Sequence, residues 1–270
     1  MPKRRGWLEI AAIVWLSLAI LATVASLVFG GWLDPSINLA EAQMRPALHH
    51  WLGTDELGRD VLLRVLQAGR STLLIVSGAT VLSMLLGIVI GATAGYFGGW
   101  FDRLLLFAID LFWSVPFAIF VVLAVSIVGV SPLSLILAIG GINWVTSARV
   151  IRTQTKALRV NNFVLVARAY GFNDIQIATQ QLLPPLRRSI IVLAAYAGIE
   201  TLTLETGLAF LGLDMPAPRP TWGGLLADGL SYYSSAPWLL AAAAIAVVGT
   251  LGSAQVLVRG SDIHTTERGE

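Results

Sequence analysis

Six apolar stretches, each long enough to cross a bilayer, constrain this chain more than any motif in it. They run over residues 10–29, 71–97, 104–130, 131–148, 189–213 and 236–258. A membrane-crossing helix needs about 20 apolar residues. Ser71 to Phe97 and Ala236 to Val258 carry no charge at all. Only 13% of the chain is charged, against about 25% in a soluble domain. Mean hydropathy is +0.76. Hydrocarbon offers no water to backbone amides, so such segments must fold as helices. The expected fold is an all-α polytopic membrane protein with six transmembrane helices. The fourth stretch is short and should extend into Arg149–Arg152, after a tight turn at Gly129 to Pro132.

The first stretch follows Lys3, Arg4 and Arg5. It is longer than the apolar region of a signal peptide, and Phe29-Gly-Gly-Trp32 offers no small-x-small cleavage site. It reads as a retained start-transfer helix. Orientation follows from the basic residues, which favour cytoplasmic loops. With the N-terminus inside, 13 of the 18 Lys and Arg residues are cytoplasmic. Arg45, Arg59, Arg64, Arg70 and Arg219 remain outside. Both termini are therefore expected in the cytoplasm. The basic balance, with a pI of 9.2, is then a topology signal and not a nucleic-acid footprint. Three regions result: 1–70, the first span plus an outer loop; 71–258, a five-helix core interrupted by a cytoplasmic loop at 149–188; and 259–270, a cytoplasmic tail.

Within the outer loop, Gly30 to Pro35 reads as a turn. Leu57, Val61 and Val65 recur at i, i+4 and i+8, which predicts an amphipathic helix at the membrane interface. Thr54 or Asp55 would cap it, and Asp60 and Arg64 would pair at i, i+4. In the second span Gly87, Gly91 and Gly95 form one stripe where another helix can approach closely. The third span holds Asp110 and then Pro116, which should kink it. A carboxylate at mid-membrane costs about 2.5–3.5 kcal/mol on insertion scales, so Asp110 should face the bundle interior or water. It either bonds a neighbouring helix or lines a pathway. Glu200 and Glu205 in the fifth span fall under the same argument. A Pro- and Trp-rich outer loop follows at 214–237.

The 149–188 island carries seven basic residues and one acid, Asp174. Asn161 or Asn162 should cap a short helix from Phe163 to Tyr170, and Gly171 should stop it in the left-handed conformation. Asn173 or Asp174 should cap a second helix from Ile175 to Leu183, ended by Pro184 and Pro185. Phe163, Val166 and Tyr170 form an apolar stripe suited to a partner's groove. Packing of the loop on its own bundle is the alternative.

The island resembles the signature loop of bacterial ABC importer permeases, which runs Glu-Ala-Ala, three residues, Gly, then Leu-Pro. Gly171 leads to Leu183 and Pro184 at the family's spacing, and Ala167 fills the last alanine position. Leu165 stands at the glutamate position and Val166 at the first alanine. Two further stretches are similar to the dipeptide/oligopeptide/nickel subfamily. One is Leu52-Gly-Thr-Asp-Glu-Leu-Gly-Arg-Asp60. The other is Glu205-Thr-Gly-Leu-Ala-Phe-Leu-Gly-Leu213 followed by Pro220-Thr-Trp-Gly-Gly224. Asp102-Arg103, Asp110 and Pro116 also look like that pattern. The C-terminus departs from the subfamily's basic Leu-Asp-Pro-Arg tail.

The resemblance implies the type I ABC importer permease fold in a bacterial inner membrane. It implies ATPase coupling through Val166, Ala167, Arg168, Tyr170, Gly171, Asp174, Leu183 and Pro184. It implies an outer motif of Gly53, Thr54, Asp55, Gly58, Arg59 and Asp60, and a translocation pathway near Asp110, Pro116, Glu200 and Glu205. The partners implied are a second, homologous permease, one or two cytoplasmic ABC ATPases and an extracytoplasmic substrate-binding protein, all in membrane lipid. Dipeptides, longer peptides, nickel and metallophores are the cargoes of that subfamily.

Enzymatic chemistry finds little support. Lys3 and Lys156 are the only lysines, and neither sits in a G-x-x-x-x-G-K-[ST] loop. ATP and Mg are therefore expected on partner ATPases, with no cofactor in this chain. The only histidines, His49, His50 and His264, lack metal-ligand spacing, and cysteine is absent. The alternative function is a self-sufficient secondary transporter coupling protons through Asp110, Glu200 or Glu205.

Overall fold

The computed structural model describes residues 6–28, 37–114, 116–216 and 218–266. The basic cluster at 3–5, the turn at 30–35 and Arg268 lie outside the described residues. Among the described residues there are helices and no strand. In chain order they are α1 (Trp7–Val28), α2 (Val61–Phe97), α3 (Gly99–Trp113), α4 (Phe117–Val128), α5 (Pro132–Leu158), α6 (Asn162–Ala169), α7 (Asp174–Gln176), α8 (Leu183–Phe210), α9 (Trp222–Ser231) and α10 (Pro237–Thr266). Five helical stretches, at Trp7–Ser26, Val61–Phe97, Pro132–Leu158, Asp174–Phe210 and Pro237–Gly260, are long and apolar enough to cross a membrane.

The expected third span is broken in two, α3 with 15 residues and α4 with 12. Pro116 explains the break. It has no amide to donate, and its ring displaces the preceding turn. The Ile119 amide then bonds Pro116 O at 3.0 Å as the chain turns into α4. A kink was expected here; the helix stops and restarts instead.

The interfacial amphipathic helix does not exist as a separate element. Leu57 lies in the turn, and α2 runs unbroken for 37 residues from Val61. Its cap is Asp60 and not Thr54 or Asp55: Asp60 Oδ1 accepts the Leu63 amide at 3.1 Å. The Asp60–Arg64 pair is not formed, because each residue has a nearer partner. Asp60 Oδ2 lies 2.8 Å from His50 Nδ1, and Arg64 Nη1 donates to Asp55 Oδ2 at 2.9 Å.

The described helices group into two compact units that alternate along the sequence. The first comprises residues 1–77, 125–134 and 202–270. Its core gathers Ala68, Leu202, Trp222, Leu225, Ala243 and Val247. Trp222 Nε1 donates to Val65 O at 3.0 Å, and Trp15 Nε1 to Thr250 Oγ1 at 3.3 Å.

The second unit comprises residues 78–124 and 135–201. The glycine stripe of α2 belongs to it and does what its spacing predicts. A Cβ added at Gly91 would stand 2.5 Å from Ala148 O, and one at Gly95 2.5 Å from Arg152 O. At Gly87 it would meet Ser147 Cβ at 2.7 Å. The stripe is the contact of α2 with α5, backbone against backbone. Ala94, Leu105, Ile109 and Val145 close the core beside it.

Candidate functional site

The 149–188 island belongs to the second unit. Helix α6 starts after Asn161, whose side chain makes no capping bond, and ends at Tyr170. Gly171 follows at φ +81°, the left-handed value that glycine adopts without steric cost. Asn173 caps α7 through a capping box with Gln176, its Oδ1 accepting the Gln176 amide at 2.8 Å.

The expected stop at Pro184 and Pro185 is not made. A π-helical turn over Ile177–Leu182 carries α7 into α8 without a break. The Leu183 amide bonds Ala178 O, five residues back. The wider turn accommodates two consecutive residues that lack amide hydrogens, and both prolines then sit in the first turn of α8, where proline is tolerated.

Two sides of α6 differ in kind. Val164 and Ala167 are buried against Tyr96, Ile177 and Leu182. Phe163, Val166 and Tyr170 are exposed, Tyr170 by 81%. Arg168, Gly171, Asp174, Leu183 and Pro184 are also exposed. The island thus packs on its own bundle with one face and leaves the other bare.

Tyr96 at the end of α2 holds this arrangement. Its hydroxyl donates to Asp174 Oδ1 at 2.6 Å and accepts from Arg168 Nη2 at 3.0 Å. The Arg168 guanidinium also lies 5.4 Å from the ring centroid, within cation–π range. Arg159 Nη1 donates to Tyr96 O at 2.8 Å. Alongside, Arg152 grips Asp102 through both Nε and Nη2, and Lys156 Nζ lies 3.4 Å away. The Arg152 hydrogen bonds hold the Asp102 carboxyl below the usual carboxylate range. Sequence reasoning missed Tyr96: a lone tyrosine closing an apolar run carries no signal of its partner 78 positions away.

The motif at 53–60 lies in the first unit and is a closed knot of polar bonds. Asp55 is fully buried. It accepts the Leu57 and Arg59 amides at 2.9 and 2.8 Å, and the Arg59 and Arg64 side chains at 2.6 and 2.9 Å. Gly53 and Gly58 hold φ of +74° and +72°, which turns the chain around that carboxylate. Thr54 Oγ1 accepts the Met44 amide at 2.8 Å, and Thr54 O accepts Trp238 Nε1 at 3.0 Å. His50 sits between Asp60 and Glu41, at 2.8 and 3.4 Å. The hydrogen bond to Asp60 raises its pKa.

The intramembrane carboxylates separate. Asp110 and Glu200 belong to the second unit and are exposed on this chain. Asp110 makes no side-chain hydrogen bond or ion pair among the described residues. Pro116 is exposed at the α3–α4 break. Glu205 belongs to the first unit and is 2% exposed. Its Oε1 accepts from Thr72 Oγ1 at 3.3 Å, and Thr72 Oγ1 accepts the Trp222 amide at 3.0 Å. Asp214 Oδ1 accepts from Thr221 Oγ1 at 2.6 Å, and burial pushes the Asp214 carboxyl up. Thr221 in turn caps α9 at the Gly224 amide. The second subfamily-like stretch is thus one polar lattice around the start of α9. Among the described residues, no three His, Asp or Glu side chains group as a metal site.

Comparison with known proteins agrees with this architecture. Residues 87–258 match the family described as binding-protein-dependent transport system inner membrane component. The chain is 35% identical over 248 residues to the oligopeptide transport system permease protein OppC of Haemophilus influenzae, covering 88% of this chain and 78% of that one. It is 29% identical to the OppC of Bacillus subtilis, with coverage of 88% and 78%. It is 32% identical to the dipeptide transport system permease protein DppC of Bacillus subtilis, covering 78% of this chain and 67% of that one. An all-helical chain with several membrane-length helices, matched by this family over most of its length, belongs to the binding-protein-dependent transport system inner membrane components: it is a multi-pass inner-membrane permease subunit of an ABC importer.

Proposed function

We propose that this chain forms half of a translocation pathway for peptides and is driven by a separate ATPase seated on α6. The observation that carries this reading is the bare apolar face of α6. Phe163, Val166 and Tyr170 are presented outward while Tyr96, Arg168 and Asp174 lock the helix from behind. A braced helix with an exposed apolar stripe transmits force from a groove that grips it. In this reading the island and both termini are cytoplasmic. ATP and Mg bind the ATPases, and this chain holds no cofactor. A second, homologous permease completes the pathway and a binding protein delivers cargo from outside. Alternating access follows from rocking of the bundle as the ATPases close. Peptide is favoured over nickel or a metallophore, because the relatives quoted above are named for oligopeptides and dipeptides.

The test is transport by the purified complex in liposomes, with binding protein outside and ATP inside. Gly171→Asp puts a negative charge on the docking surface at a left-handed backbone position. Pro184→Leu restores an amide beside the π-helical turn. Each variant is expected to stay in the membrane, lose uptake and lose its ATPase during purification. Normal uptake by both would remove α6 as the coupling element. Uptake that persists without ATP would favour a proton-driven carrier instead.

A further inference from the structure

The first unit contains a cavity of about 430 Å³, within the range of about 300–1,000 Å³ typical of small-ligand sites. One wall is a single face of α2, where Arg70, Leu74 and Ile75 follow at i, i+4 and i+5. Met215, Pro218, Arg219 and Pro220 also line it. The Arg219 amide bonds Pro216 O at 3.3 Å, and Pro218 and Pro220 on either side of Arg219 restrict the backbone there. The two guanidinium groups differ from the other arginines of this unit's outer motif. Arg59 and Arg64 are both engaged by Asp55. Arg70 and Arg219 make no ion pair or side-chain hydrogen bond among the described residues, and no acid lines the cavity.

Two unneutralised guanidinium groups over an apolar floor select for an anion with an attached apolar group. A guanidinium matches a carboxylate with two parallel hydrogen bonds. We propose that the cavity is a subsite for the C-terminal residue of a translocating peptide. Arg70 and Arg219 hold the terminal carboxylate, while Leu74, Ile75 and Met215 receive the side chain. An amino terminus would be repelled by the same two charges. A lipid phosphate shares the anionic chemistry, but a cavity of about 430 Å³ is too small for a diacyl tail. The proposal rests on the peptide-import reading above.

The experiment uses the complete importer in liposomes with its loaded binding protein. The cargo is a short peptide whose C-terminal residue carries a benzophenone side chain and a free carboxylate. After photolysis the adducts are mapped by mass spectrometry. They are expected on Met215, Leu74 or Ile75. Their yield should fall about tenfold or more in R70Q/R219Q, the equivalent of about 1.4 kcal/mol. It should recover in R70K/R219K, which keeps the charges and guards against misfolding. Adducts mapping elsewhere, or equal yield in R70Q/R219Q, would overturn the subsite. So would competition of the adducts by added anionic phospholipid, which would assign the anion to lipid. Wild-type liposomes that import no peptide would remove the peptide reading itself. Import with adducts elsewhere removes only the subsite.

Discussion

The hydroxyl of Tyr96 donates to Asp174 at 2.6 Å while accepting from Arg168 at 3.0 Å, so one side chain ties both halves of the 149–188 island to the end of α2. Tyr96→Phe keeps the ring and its stacking but removes both bonds. The expected cost is about 1–2 kcal/mol, since a typical net hydrogen bond contributes about 0.5–1.5 kcal/mol. Thermal unfolding of the purified complex should show a small fall in Tm. ATP consumed per peptide imported should rise, because α6 loses its brace. An unchanged ratio would mean that the brace is not used in coupling.

At Gly171 an added Cβ meets nothing within 4 Å, so the demand for glycine is purely conformational. Gly171→Asn should retain most transport, because asparagine tolerates the left-handed region. Gly171→Val should cost about 1–2 kcal/mol in backbone strain and impair transport clearly. Equal activity of the two variants would show that the turn at φ +81° is dispensable.

Removing Arg152 leaves the buried Asp102 carboxylate with only Lys156 at 3.4 Å. Breaking a buried pair from one side costs about 3–5 kcal/mol, and Lys156 should hold Arg152→Ala near the lower end. Because the Asp102 pKa is depressed in the folded chain, its contribution is present above the unfolded value of about 3.9. It is lost as pH falls through the folded value. Asp102→Asn should flatten that acid dependence in a denaturation series. A slope identical to wild type would refute the assignment.

His50 has the opposite sign. Its raised pKa comes first from the Asp60 hydrogen bond. The stabilisation is therefore complete below the unfolded value of about 6.5 and is lost as pH rises through the folded value. His50→Gln should remove this alkaline loss of stability of the outer knot. Hydrogen exchange of the 50–60 segment against pH measures it.

Much of this was legible in the residues. Apolar length found the long helices, though it gave the interrupted α3–α4 stretch as one span, and the four-residue glycine spacing marked α2 as a face of close approach without naming its partner. The Gly171 stop and the Asn173 cap followed from local turn chemistry, which the chain carries within a few residues. What failed was partly local geometry and partly competition from distant partners. Leu57 and Val61 fit a helical period, but Gly58 at φ +72° keeps Leu57 in the turn. The Asp60–Arg64 spacing was suitable, yet His50 and Asp55 compete more closely for the two groups. Prolines 184 and 185 were read as a stop, because a π-helical turn leaves no mark in composition.

The backbone contact between α2 and α5 has a mechanical corollary. Helices separated by side chains slide past one another by exchanging rotamers. At Gly91 and Gly95 there is no such bearing layer: a side chain there would strike the Ala148 and Arg152 carbonyl oxygens, and at Gly87 it would strike Ser147 Cβ. The two helices therefore behave as one stiff beam along this length. Bending within the second unit must be taken up off this length, and the interruption between α3 and α4 at Pro116 is one such joint.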